Sequence, residues 1–175
     1  MHFTNTLTEY GLISKFLHWV SAILLFAQIP LGFYLVDLDF GPERLDIENI
    51  HVIVGLSLFY LVILRLLYKI LNPTPKLQPS IFKGQKFLAK LNHFLLYVTI
   101  LSITISGILK KLFDGETLII FFKEIKIQEN FELTELFYDI HVFSNYLMIT
   151  LIVIHIMAVI THKLFFHDNL LKKIL

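Results

Sequence analysis

Four long apolar stretches, at about residues 13–36, 49–71, 91–112 and 137–164, leave this chain few ways to fold. Each reaches the roughly 20 residues that cross a bilayer as a helix. In hydrocarbon only a helix or a closed barrel satisfies its own backbone polar groups. The expected fold class is therefore all-α, an integral membrane four-helix bundle. With 56% hydrophobic residues and 17 Phe, a chain of 175 residues is too apolar for one soluble domain whose surface faces water. No repeat divides it, so residues 1–175 are expected to form a single membrane domain. No small-residue cleavage site follows the first stretch, which is also too long for a signal-peptide core, so it should stay as an anchor.

Charge sets the orientation. Lys15, Arg65, Lys69, Lys76, Lys83, Lys86, Lys90, Lys163, Lys172 and Lys173 fall on the side of the N-terminus, the second connection and the C-terminus, where the only acids are Glu9 and Asp168. The positive-inside rule then predicts that both termini are cytoplasmic and that the first and third connections are outside. The first connection, VDLDFGPERLDIE, reads as an acidic loop with a Gly-Pro turn. The third, from about Phe113 to Glu135, alternates partly and suits either a short strand pair or an interfacial segment. Pro30-Leu-Gly32 can kink the first helix, and residues 165–175 read as a basic amphipathic tail lying on the cytoplasmic face.

The absence of cysteine removes disulfides, thiolate metal sites, iron–sulfur clusters and covalent haem attachment. Histidine remains as the soft-metal ligand. His141 and His155 share one face of the fourth helix, because their spacing falls about 40° short of four full turns, and they stand roughly 21 Å apart along its axis. Helix direction gives the other histidines a height. His51 and His141 both lie about one turn inside the outer boundary, whereas His18 and His155 lie about 8 and 13 Å above the inner one. Two pairs follow, an outer one from the second and fourth helices and an inner one from the first and fourth. Ionisable groups inside a bilayer are costly and need partners. Facing imidazoles suit six-coordinate haem b, so two haems are expected, stacked across the bilayer. Zinc would want three or four ligands at one depth.

The remaining candidates are less specific. His93 and His162 lie at the inner boundary and are candidate hydrogen-bond donors to a quinone headgroup or a haem propionate; the plain alternative is an interfacial histidine. Arg65 is a candidate propionate partner, with snorkelling to lipid phosphate as the equal alternative. Gly55, one turn after His51, suits either the approach of a macrocycle or close helix packing. Trp19 reads as a packing or anchoring residue.

LISKFLHWVSAILLF, NIHVIVGLSLFYLVILRLLYKILNPTP, LAKLNHFLLY, DIHVFSNYLMITLIVIHIMA and THKLFFHDNLLKKI touch all four helices, and with these pieces the chain resembles the bacterial cytochrome b561 family of di-haem membrane cytochromes. The resemblance implies that His18, His51, His141 and His155 are the haem b axial ligands. It also implies a multi-pass protein of the bacterial inner membrane. A chain of this size looks most like the superoxide oxidase type, which takes electrons from superoxide outside and reduces ubiquinone to ubiquinol. The alternative is an electron-transfer subunit linking quinone to a dehydrogenase or hydrogenase. The implied partners are membrane lipid, quinone and superoxide, with a redox protein under the alternative, and no nucleic acid. Superoxide is an anion, yet Asp37, Asp39, Glu43, Asp46 and Glu48 surround the outer end; Arg44, Lys110, Lys111, Lys123 and Lys126 would have to form a local basic funnel.

Overall fold

The computed structural model describes residues 2–75, 83–165 and 170–175. Helix α1 spans Leu12–Asp37, α2 Pro42–Leu71, α3 Gln85–Phe113 and α4 Phe131–Phe165; strands β1 (Leu118–Ile120) and β2 (Lys123–Ile125) lie between α3 and α4, and a 3₁₀ turn covers Leu170–Lys173. All four helices are long and apolar enough to cross a membrane.

Three helices begin earlier than their apolar stretches. Pro42, which follows Gly41, sits in the first turn of α2 with Glu43 beside it, so GPERLDIE is mostly helix and the first connection shrinks to a few residues. Proline suits that position because its missing N–H would have no intrahelical partner there. Gly84, at φ 94°, precedes α3. At the start of α4 the Asn130 side chain accepts from the Leu133 N–H at 3.1 Å. The first turn of α4 is thus capped by a side chain, whereas α2 and α3 start after glycines with no side-chain cap. Pro30 lies within α1, which continues through it. The third connection is a strand pair, antiparallel with Ile120 opposite Lys123. The expected tail helix falls partly on residues 166–169, outside the described residues.

The bundle is apolar outside and partly polar within. Phe16, Ile23, Phe26, Ile53, Leu64, Phe94, Phe143 and Met157 are exposed, while Ser21, Gln28, Thr99, Thr104, Ser106 and Ser144 are buried. This inverts the soluble pattern and suits helices whose outer solvent is lipid. Leu58, Val62, Ile100, Ile103 and Met148 form the central core. It separates two histidine-bearing ends, called below the hairpin end, near β1 and β2, and the terminal end, near the N-terminal segment and the 3₁₀ turn.

Candidate haem centres

At the hairpin end, α2 and α4 present His51 and His141 to each other with ring centroids 6.1 Å apart and planes at 66°. A gap of this size admits one metal ion between two imidazole nitrogens at about 2 Å each. The surroundings are cut away on both sides. A Cβ on Gly32 would lie 3.1 Å from His51 Cε1, and one on Gly107 would lie 3.1 Å from both Cε1 and Nδ1 of His141. His141 Nδ1 is 2.8 Å from the Ile103 carbonyl. A carbonyl only accepts, so Nδ1 carries the proton and the Nε2 lone pair is free for a metal. His51 has no such support: its Nδ1 is buried without a hydrogen-bond partner among the described residues. Next to it, Gln28 of α1 donates from Nε2 to the His51 carbonyl at 2.7 Å, and its own Oε1 is buried and unpaired.

The glycines sort themselves by neighbour. A Cβ on Gly55 would lie 3.4 Å from Gln28 Nε2, which marks a helix-packing contact between α1 and α2. Gly32 and Gly107 are the ones that make room at the imidazoles, a role that sequence spacing does not assign because it depends on how neighbouring helices are turned. The signal available in the sequence was only their location near the outer helix ends.

The terminal end is more crowded. His155 of α4 packs against His93 of α3, with centroids 5.3 Å apart and planes at 61°. His18 of α1 lies within electrostatic range of both. It is engaged by Arg65, whose Nη2 donates to His18 Nδ1 at 2.8 Å. The structure thus gathers His18, His93 and His155, but the ring contact it makes is His93–His155 rather than His18–His155. Arg65 and Lys69 both stand over the Tyr97 ring, at 5.3 and 4.7 Å from its centroid. The Tyr68 hydroxyl and the Asn92 amide oxygen are buried there with no partner among the described residues. Tyr10, just before α1, borders this cluster; burial pushes its phenol above the ordinary value, Tyr97 adds to the rise and Arg65 opposes it. It therefore stays a neutral hydrogen-bond donor at physiological pH. His162 lies 2.7 Å from the Gln85 amide, at the margin. Lys69, Tyr97, Tyr68 and Asn92 are additions that sequence reading did not make. Trp19 packs edge-on to His18 and donates to the Ile174 carbonyl at 2.9 Å, which fits a packing role.

The residues fit haem iron at the hairpin end on three observations: a one-ion gap between rings, space in place of side chains, and a fixed tautomer. At the terminal end the buried unpaired donor and acceptor, together with two cations, suit a large polar-edged ligand.

Two of the four lysines expected in a basic funnel are paired with acids, while Lys123 and Lys126 are exposed. Lys110 pairs with Asp114 at 3.0 Å, and Lys111 is buried between Glu48, at 2.9 Å, and Glu116. Arg44 donates to the Leu38 carbonyl at 2.5 Å and covers the Phe40 ring.

A family model described as prokaryotic cytochrome b561 matches residues 9–175. A curated relative, cytochrome b561 homolog 2 of Escherichia coli (strain K12), is 32% identical over 128 residues, a match covering 69% of this chain and 65% of the relative. The chain therefore spans just under two thirds of that relative's length.

Proposed function

Because this chain belongs to the prokaryotic cytochrome b561 family, whose members are multi-pass inner-membrane haem b proteins, we propose that it is a di-haem cytochrome that oxidises superoxide and reduces ubiquinone. The net reaction consumes two superoxide anions, one quinone and two protons and yields two O2 and one quinol. The observation that carries the reading is the facing His51–His141 pair with Gly32 and Gly107 cleared beside it. His51 and His141 would hold an outer haem, and His18 and His155 an inner one. Bound between such imidazoles, haem b supplies reversible one-electron transfer.

The chain's own groups do the rest. Ile103 O holds His141 in the ligating tautomer. Donation from Arg65 leaves the neutral His18 ring with its proton on Nε2, so His18 serves as a ligand through Nε2 only once Arg65 releases it. A haem propionate is the natural alternative partner for that guanidinium. His93, His162 and Tyr10 are the proposed donors at a quinone headgroup, with Lys69 and Arg65 beside them. By the positive-inside rule the terminal end faces the cytoplasm, where the two protons are drawn.

The test is to add superoxide anaerobically to the purified ferric protein with a water-soluble ubiquinone. Rapid reduction of the Soret-absorbing centres, followed by quinol formation, is the expected result; an unchanged spectrum would sink the superoxide step. A second reading, an electron-transfer subunit exchanging electrons with a docked basic protein, is favoured by the neutralised Lys110 and Lys111. Under it, the protein is reduced by such a partner and not by superoxide.

A further inference from the structure

We propose that the β1–β2 hairpin is a lipid anchor, whose tip, Phe121–Phe122, sits among the acyl chains of the leaflet at its end of the bundle. Its base is fixed to the protein. Leu118 and Ile120 are buried with Leu112, and Val52 and Leu56 of α2 and Ile108 of α3 pack against them. The hairpin therefore runs down the side of the α2–α3 groove rather than standing up from it. Its tip meets α2 well along that helix: the Phe121 N–H donates to the Tyr60 hydroxyl at 3.0 Å, and the Phe121 ring packs edge-on to Phe59 and Tyr60.

Depth follows from the helix. Glu48 and Lys111 pair at 2.9 Å and mark the charged rim. Tyr60 lies about three turns beyond Glu48, roughly 18 Å along the axis, and its side chain leans back toward the helix start. The tip therefore lies on the order of 10 Å or more past the rim, at the depth where interfacial apolar groups reside.

The tip residues are the second observation. Phe121 and Phe122 both adopt positive φ, 49° and 63°. A two-residue hairpin turn of this kind ordinarily takes Asn-Gly, because side chains in the left-handed region are strained. Phe121 has Phe59 and Tyr60 as a return, but the protein supplies none for Phe122, which is fully exposed, at 101%. Acyl chains supply it, and they already cover the adjoining apolar faces of α2 and α3. Lys123, which follows the tip, and Lys126, farther up, are exposed and reach back toward lipid phosphates. Of the two turn amides at the tip, the Phe121 N–H is accepted by Tyr60, which lowers the cost of placing it in hydrocarbon.

The cysteine-free chain makes the test direct. Phe122→Cys and Gln128→Cys are spin-labelled in the full-length, haem-loaded protein in vesicles of phosphatidylethanolamine and phosphatidylglycerol. The expected result is that the label at 122 is relaxed several-fold more by dissolved oxygen than by an aqueous nickel chelate, with the order reversed at 128. Equal nickel access at the two positions would overturn the proposal by placing the tip in water. A label at 122 shielded from both reagents would overturn it by placing the tip against protein, such as a second copy. Unchanged haem absorption in both variants ensures that the folded protein is being read.

Discussion

The two ends of the bundle use histidine differently. At the hairpin end two imidazoles face each other across 6.1 Å with glycines beside them. One is held by a backbone carbonyl, and at that end Lys110 is paired with Asp114 and Lys111 with Glu48 and Glu116. At the terminal end three histidines share space with Arg65, Lys69 and Tyr97. The first arrangement suits an exchange of electrons alone, because no mobile proton carrier is needed and little charge is offered. The second suits chemistry in which electrons and protons arrive together, as in quinone reduction.

The sharpest way to break the contrast is at the terminal end, where depth pairs His18 with His155 while the ring contact is His93–His155. His18→Ala is expected to remove the inner haem, halving the haem per protein, whereas His93→Ala keeps both haems and lowers quinone reduction about a hundredfold, the low end of general acid–base contributions. Pyridine haemochrome assay and quinol formation separate the two. Haem loss in His93→Ala with full retention in His18→Ala would move the axial role to His93.

A smaller effect sharpens the hairpin end. Gly107→Ala puts a methyl 3.1 Å from His141, and overpacking of this kind costs about 1–3 kcal/mol. The outer haem should dissociate faster on dilution into apomyoglobin, with the inner one unaffected. Smaller still is Gln28→Leu. It removes the donor to the His51 carbonyl, worth about 0.5–1.5 kcal/mol, so the outer midpoint potential should move by roughly 20–60 mV. Equal shifts at both haems would mean that Gln28 acts through the whole bundle.

Much of this layout was legible in the sequence, and the boundary of what was legible is physical. The apolar runs locate four helices because hydrocarbon accepts little else. They miss the first turns of α2 and α4, where Pro42 and Asn130 start helices that remain polar. Helical rise gives each histidine a height, and that was enough to bring His51 to His141. It does not give azimuth. Whether His93 or His18 turns toward His155 depends on how α3 and α1 pack on α4, and the same ignorance hid Gly32, Gly107 and Gln28. Lys111, expected in a basic funnel, is lost to it for a related reason: nothing in the order of residues tells that Glu48, on another helix, reaches Lys111. The alternation after Phe113 left a strand pair and an interfacial segment open, and the strand pair is what forms.

The central claim is that two separate bis-histidine haem sites span the bundle. Its most direct test is an anaerobic optical redox titration, with haem stoichiometry, of the wild-type protein and His51→Ala. Two b-type haems titrating separately in the wild type, with a single one left in His51→Ala at the potential of the surviving component, is the predicted result. One haem per wild-type chain, or two retained in His51→Ala, would contradict it.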